Sequence, residues 1–319
     1  MLMNFGTLKK VVMKVKSRNL NYCYYVEYYE HQQLRFTEPQ SDDTAAVLKK
    51  NNKCLTDYEA SKNELMTSLA DILVLNKFEL QTVYPGLLIG VGIAHGFNGK
   101  GEAALGLCLD YVTGMPYIPG SSVKGVLRSA FKHPEYIKEL LKSVKFQGAD
   151  SIDVHELEAH IFGNALEGKQ YSVKPSETDT FFDAVVVSTG KLLATDAITP
   201  HRGDEELLEL AAPNPITMIR IRPGVRFLFQ FSLHKVTMKV TAEQKLKLFQ
   251  KIIEDFGIGA KTNVGYGTFE EVQKIDPTIC PNCGGHKNAN YPLCQKCAQS
   301  TQNSRQSNNR NRRNRYTYE

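Results

Sequence analysis

The chain has 319 residues, 42% of them hydrophobic, which allows one or two domains with a sizeable core and excludes wholesale disorder. Formal charge is +5, but the segment from Ala298 to Glu319 holds five arginines and one acid, so the rest of the chain is close to neutral and any nucleic-acid affinity in the body must come from local patches. No run approaches the ~18–20 apolar residues of a membrane span, and the apolar part of Leu8-Lys9-Lys10-Val11-Val12-Met13-Lys14 is too short for a secretory signal, so the expected compartment is the cytoplasm.

Residues 1–26 carry Lys9, Lys10, Lys14, Lys16 and Arg18 with no acid, and Tyr22, Tyr24, Tyr25, Tyr28 and Tyr29 overlap and follow them. Interleaved basic and aromatic residues can stack single-stranded RNA; an edge strand with solvated lysines fits the same residues. A capping box at Ser61-Lys62-Asn63-Glu64 starts a helix carrying Leu65, Leu69, Ile72 and Leu73. Asp153 with Glu156 starts another. Thr241 with Gln244 starts a third, lined by Leu246, Phe249, Ile253 and Phe256 and stopped at Gly257. Strand-like runs occur at 78–84, 181–188, 217–221 and 226–233, the last alternating Phe227, Phe229, Phe231 and Leu233 on one face. Strands interleaved with capped helices indicate an α+β body. The expected organisation is an N-terminal extension over 1–75, helical in part, a core over 76–273, a metal-binding module over 274–298 and a disordered basic tail over 299–319.

Seven cysteines divide unevenly. Cys23, Cys54 and Cys108 are scattered and read as reduced, mostly packed thiols. Cys280 and Cys283, then ten residues, then Cys294 and Cys297 form two CxxC knuckles, whose four thiolates complete a closed tetrahedron around one structural Zn²⁺. A pair of disulfides is the competing reading, disfavoured by the expected compartment. His286 is a possible substitute ligand that four cysteines make unnecessary.

Two glycine-rich stretches frame the body, Gly86 to Gly101 and Gly257-Ile-Gly259-Ala-Lys261-Thr-Asn263-Val-Gly265-Tyr-Gly267. Glycines let backbone amides approach a phosphate, but neither stretch has the Gly-Lys-Ser/Thr of an NTPase loop. Between them, Pro119-Gly120 turns the chain into a helix capped by Ser121 or Ser122, with Val123, Val126, Leu127, Ala130 and Phe131 on its apolar face. Such a start offers amides, hydroxyls and Lys124 to an anion.

The run Pro116-Tyr-Ile-Pro-Gly-Ser-Ser-Val-Lys-Gly-Val-Leu-Arg128 resembles the signature of the RAMP superfamily, the RNA-binding proteins of CRISPR effector complexes. The stretch from Gly257 to Phe269 is similar to that superfamily's C-terminal glycine-rich loop. Phe182-Asp183-Ala184, Asp196-Ala-Ile-Thr-Pro-His201 and Pro213-Asn-Pro-Ile216 resemble one subfamily, the sixth subunit of the type III-B (Cmr) effector. The resemblance covers about 77–270. It implies a ferredoxin-like, RRM-like core with insertions, sitting near the 3′ end of a guide RNA, with guide RNA, target RNA and the backbone, small and capping Cmr subunits as partners. It also implies RNA contacts from Ser121, Ser122, Lys124, Arg128, Gly259, Lys261, Asn263 and Gly265, and from His201 and Arg202 on a loop. Contacts to phosphate and 2′-hydroxyl would hold any guide sequence and leave base edges to pair with target.

The related RNA-cutting backbone subunits carry a Gly-Ile-Asp-type carboxylate in the first glycine loop, and this chain has none there. Glu102 and Asp110, with His95 and His201, are the only candidates for an endoribonuclease. As a solvated loop carboxylate and a turn-forming Asp, Glu102 and Asp110 fit a noncatalytic scaffold better, so no catalytic residue is expected.

Overall fold

In a computed structural model of the chain, residues 19–30, 34, 36–61, 68, 71–73, 75–90, 96–103, 107–163, 173–198, 216–272 and 295 are described. The chain divides into two units, Met1–Glu271 and Val272–Glu319. Cys280, Cys283, Cys294 and Cys297, the arginine tail, and His95, His201 and Arg202 lie outside the described residues.

In chain order the elements are α1 (Leu20–Tyr25), α2 (Asp42–Thr56), β1 (Glu59–Ala60), β2 (Asn76–Thr82), β3 (Tyr117–Ile118), α3 (Gly120–Ala130), α4 (Pro134–Ser143) and α5 (Val154–Phe162). There follow β4 (Thr180–Phe181), β5 (Ala184–Val186), β6 (Gly190–Lys191), β7 (Leu193–Ile198), β8 (Ile216–Ile221), β9 (Arg226–Ser232), β10 (Val236–Thr237), β11 (Val240–Thr241), α6 (Ala242–Phe256) and β12 (Phe269–Glu271). The main sheet runs β12-β2-β9-β5-β3, with β4 also on β9, and all its pairings are antiparallel. The mixture of helix and antiparallel sheet is the expected α+β class.

The period-2 pattern sets the sheet's two faces. Phe227, Phe229 and Phe231 of β9 and Leu80 of β2 are buried, and Phe78 stacks on Phe229 with centroids 5.3 Å apart. Lys77, Glu79 and Gln81 of β2 turn away from that core, where Glu79 pairs with Arg226 and Gln81 with Glu270. Behind the aromatic face pack α5 and α6, whose Phe162 and Phe249 meet Phe181 of β4, while Phe249 also meets Phe231 of β9.

The helix starts follow the sequence at two places. Thr241 and Gln244 form a reciprocal capping box for α6, and Asp153 accepts from the amides of His155 and Glu156 at α5. Gly257 ends α6 at φ +67. The buried stripe of α6 is rotated from the expected one. Lys245, Leu248, Phe249, Ile252 and Ile253 face inward, while Phe256 is partly exposed beside His133 and Tyr136. Within that stripe, Lys245 Nζ reaches both carboxylate oxygens of Asp179 (2.8 and 2.6 Å) and Thr237 Oγ1 (3.0 Å). Asp179 also accepts from the His234 amide at 2.7 Å, so a fully buried charge pair is supplied with four hydrogen bonds, one residue away from the expected apolar position Leu246.

The tyrosine run is helical and not an edge strand, while Lys9, Lys10, Lys14, Lys16 and Arg18 lie outside the described residues. Tyr24 and Tyr28 lie on α1 and a following 3-10 turn (Glu27–Tyr29), buried in the same core as the sheet, and Tyr28 donates to Asn52 Oδ1 on α2 at 2.7 Å. Ile72 and Leu73, placed on an apolar helix face by the sequence, are exposed. Of the scattered thiols, Cys108 is buried, Cys23 half-buried and Cys54 exposed.

Removing one member of the Lys245–Asp179 pair strands a charge in the core. Lys245→Met should lower unfolding free energy by about 3–5 kcal/mol. Lys245→Met with Asp179→Asn, which keeps an acceptor for His234, should recover most of that loss. Urea unfolding of the two variants distinguishes a tolerated buried pair from an incidental one: equal destabilisation by single and double variants would exclude the account given.

Candidate nucleic-acid interface

The start of α3 differs from the expected cap. The N-cap is Pro119, which has no capping side chain. Ser121 and Ser122 lie inside the helix. The Gly120 amide instead donates to Asp183 Oδ1 at 2.7 Å, so a carboxylate already occupies the positive end. Gly120 is required by that docking, since a Cβ there would sit 2.4 Å from the Phe181 carbonyl oxygen. Further along, the Lys124 ammonium lies 5.8 Å from the centre of the Phe181 ring, and burial, then the nearby Arg128, lowers its pKa. Arg128 Nε donates to Glu158 Oε1 at 2.9 Å, and Glu158 is buried. Both basic residues of α3 are thus engaged within the protein.

The closing glycine loop is folded on itself. The Ile258 amide donates to the Gly267 carbonyl (2.8 Å), Ala260 to Leu88 (2.8 Å), Gly265 to Thr262 (2.9 Å), Tyr266 to Lys261 (3.3 Å) and Gly267 to Gly86 (2.7 Å). These amides are therefore not a phosphate cradle. A Cβ on Gly259 would lie 2.4 Å from the Leu88 oxygen, and one on Gly267 would lie 1.9 Å from the Ile258 oxygen, so these glycines serve close backbone contact. Outward-facing are Lys261, at a left-handed φ of +61, Asn263 and Val264, all exposed. Gly265, at φ +92, closes the turn they occupy.

This loop is anchored to the β7–β8 hairpin by a polar node. Asp196 Oδ2 accepts from Arg220 Nε at 2.7 Å and from the Tyr266 hydroxyl at 2.7 Å, while Arg220 also donates to the Pro85 carbonyl. Burial raises the Asp196 pKa, but hydrogen bonds from Tyr266, the Ala197 amide and Arg220 outweigh it and hold the carboxyl below its ordinary value. Burial, then the bond to Asp196, pushes the Tyr266 hydroxyl up to about 12. The structure thus brings Lys261, Asn263, Gly259 and Gly265 together on one loop, with Ser121, Ser122, Lys124 and Arg128 on a separate element. Sequence reasoning missed exposed Tyr84, next to the Pro85 that borders the loop, and exposed Arg222 in the turn after β8. The signal available for Tyr84 was an aromatic placed directly before Pro85-Gly86 at a strand end.

The RAMP superfamily sequence pattern matches residues 79–270, more than half of the chain. The chain belongs to the RAMP superfamily. This RAMP protein is similar to the Cmr6 subunit of the CRISPR CMR system of Saccharolobus solfataricus, 28% identical over 221 residues, 69% of this chain and 64% of that relative. The chain thus spans less than two thirds of that relative's length. Among solved structures it is similar to a chain of a type III-B Cmr-beta complex bound to cognate target RNA, at 20% identity with a TM-score of 0.49, covering 84% of this chain and 81% of the other. It is also similar to Cmr6 from Pyrococcus furiosus, at 21% identity and TM-score 0.36, covering 62% of this chain and 97% of the other.

In this RAMP protein the two candidate carboxylates have structural partners. Glu102 is buried, not solvated as expected, and accepts from the Tyr29 hydroxyl and from the Gly99 amide at 3.1 Å. Asp110 accepts from the amide and hydroxyl of Thr113, each at 2.6 Å, as a turn-forming Asp does. No helix among the described residues is long and apolar enough to cross a membrane.

The Asp196 node has a pH signature. A carboxyl whose pKa is depressed on folding stabilises the fold above the unfolded value of about 3.9, and that contribution is lost as pH falls through the folded value. Wild type should exceed Asp196→Asn in unfolding free energy by about 2 kcal/mol near neutrality, and the gap should close below about pH 4. Urea midpoints measured for both proteins across that range check this; a gap that persists at pH 2 would mean that the carboxylate is not the anchor.

Proposed function

We propose that this protein is a noncatalytic guide-RNA-binding subunit of a type III-B CRISPR (Cmr) effector complex, helping hold guide and target RNA in antiviral defence. It would lie near the guide 3′ end among the backbone, small and capping subunits. Family membership and the 28% identity to a subunit named Cmr6 support the assembly. A ferredoxin-like core is supported by the succession β2, α3, β5, β9, α6, β12 with strand order β12-β2-β9-β5. On this reading α4, α5 and the β7–β8 hairpin are insertions.

The observation that carries RNA binding is the closing loop. Its backbone amides are largely consumed by the protein, and Lys261 and Asn263 project from it into solvent. Lys261 holds a left-handed conformation that a side chain disfavours by roughly 1–2 kcal/mol, a strain that stability alone does not select. Such a cation contacts phosphate without reading sequence, as a guide-holding subunit requires. Lys124 and Arg128 contribute less, because Phe181 and Glu158 already engage them. The enzymatic alternative loses support from the partners of Glu102 and Asp110.

Lys261→Gly separates binding from folding. It should leave stability equal or higher, since glycine adopts this φ freely. It should weaken binding of unrelated guide RNAs alike and reduce the salt slope by about 0.7. Filter binding at several salt concentrations, with a parallel melt, measures both. A loss confined to one guide sequence would point to base readout instead.

Beyond residue 272 we propose one zinc ion held by Cys280, Cys283, Cys294 and Cys297 as a folding element, on the strength of the paired CxxC spacing. Elemental analysis should find one equivalent per chain, lost in Cys283→Ser, while the unit ending at Glu271 keeps its melting transition.

A further inference from the structure

Tyr84 is 77% exposed at the end of β2, and among the described residues its ring stacks on nothing. Tyr24, Tyr25, Tyr28 and Tyr29, by contrast, all pack against one another. The backbone on both sides of Tyr84 is fixed. The Val83 amide donates to the Thr268 carbonyl at 3.0 Å, the Pro85 carbonyl accepts from Arg220, and the Gly86 carbonyl accepts from Gly267. A large ring is therefore held in water without packing of its own.

The position of this ring matters. A Cβ built on Gly265 would touch Pro85 Cδ at 3.5 Å, so Tyr84-Pro85 borders the turn that presents Lys261, Asn263 and the 67%-exposed Val264. Arg222, also exposed, belongs to the neighbouring turn, where its carbonyl accepts from Thr82 Oγ1 at 2.7 Å. A flat aromatic beside exposed cations matches single-stranded nucleic acid, in which a base face and a phosphate recur together. A protein partner would be expected to bury a broad apolar surround, but here Val264 and Pro85 are set among the exposed polar and basic residues Lys261, Asn263 and Arg222.

We propose that Tyr84 is a base-stacking platform, holding one unpaired RNA base against its ring while Lys261 engages that strand's phosphate. This rests on the RNA-binding reading of the closing loop and adds a residue to it. Stacking is indifferent to base identity, so it adds affinity without adding sequence preference.

The test is equilibrium binding of the full chain to single-stranded RNA carrying 2-aminopurine at successive positions. Tyr84→Ala should weaken binding between about fivefold and a hundredfold, with the salt slope unchanged, and should abolish quenching at one position. Tyr84→Phe should behave as wild type, and an abasic site at the quenched position should erase the difference between wild type and Tyr84→Ala. If Lys261→Gly weakens binding and Tyr84→Ala does not, stacking is overturned and the loop reading stands. A loss in Tyr84→Phe as large as in Tyr84→Ala overturns it too, since the hydroxyl would then be the contact. So does unchanged RNA affinity together with weakened association to another protein subunit. If wild type shows no salt-dependent RNA binding, both readings fall together.

Discussion

The interface depends on backbone meeting backbone without an intervening side chain. At Gly86, Gly259 and Gly267 a Cβ would come within 2.1, 2.4 and 1.9 Å of a carbonyl oxygen of Ile221, Leu88 and Ile258 respectively. Those contacts close the loop on itself, lay it on the segment that follows β2, and lay that segment in turn on the end of β8. Once they are made, Gly267 donates to Gly86 and Ala260 to Leu88, and the loop becomes part of the fold. The Asp196–Arg220–Tyr266 node then locks the hairpin to the same place. Lys261 and Tyr84 stand out from the surface because the chain beneath them has no freedom to withdraw them.

This constraint alters what the motif residues mean. Glycine permissiveness suits both a phosphate cradle and a tight backbone crossing, and nothing in the sequence separates the two. Asp183, in the Phe182-Asp183-Ala184 motif, occupies the amide that an anion was expected to take at the start of α3. Asp196, in the next motif, is an anchor. The motifs by which the family is recognised are thus largely instructions for assembling the platform, and on the proposed reading contact with RNA would fall to the side chains on its rim.

Much of the fold was legible because local rules and tertiary packing agree there. The alternating phenylalanines of β9, the Thr241–Gln244 box and Gly257 each behave as their patterns require. The failures share a cause. Lys245 was left off the apolar face of its helix, Glu102 was read as a solvated loop carboxylate, and the tyrosine run as a surface, because each is polar or amphipathic by type. Each has a buried partner distant in sequence: Asp179 lies 66 residues from Lys245, Tyr29 73 residues from Glu102, and Asn52 24 residues from Tyr28. A periodic pattern cannot foresee a partner it does not contain. The exposed place of Lys261 agrees with its type, whereas the closed bonding of the glycine amides around it was not legible. Nor was Tyr84, because its significance lies in what surrounds it after folding.

The charge distribution makes this spatial argument consequential. Outside its tail the chain is nearly neutral, so a general electrostatic attraction cannot position RNA on the body. The outer sheet face does not compensate, because Arg226 is paired with Glu79 and Lys77 with Asp71. The basic residues of α3 face Phe181 and Glu158. A few unneutralised contacts at a rigid rim can then fix the register of a strand that the rest of the surface neither attracts nor repels. Rigidity matters more under these conditions than charge count, because a mobile lysine would forfeit in ordering entropy part of what a single phosphate contact provides. The glycine contacts supply that rigidity in advance, which is why the architecture of the loop and its capacity to bind are one problem.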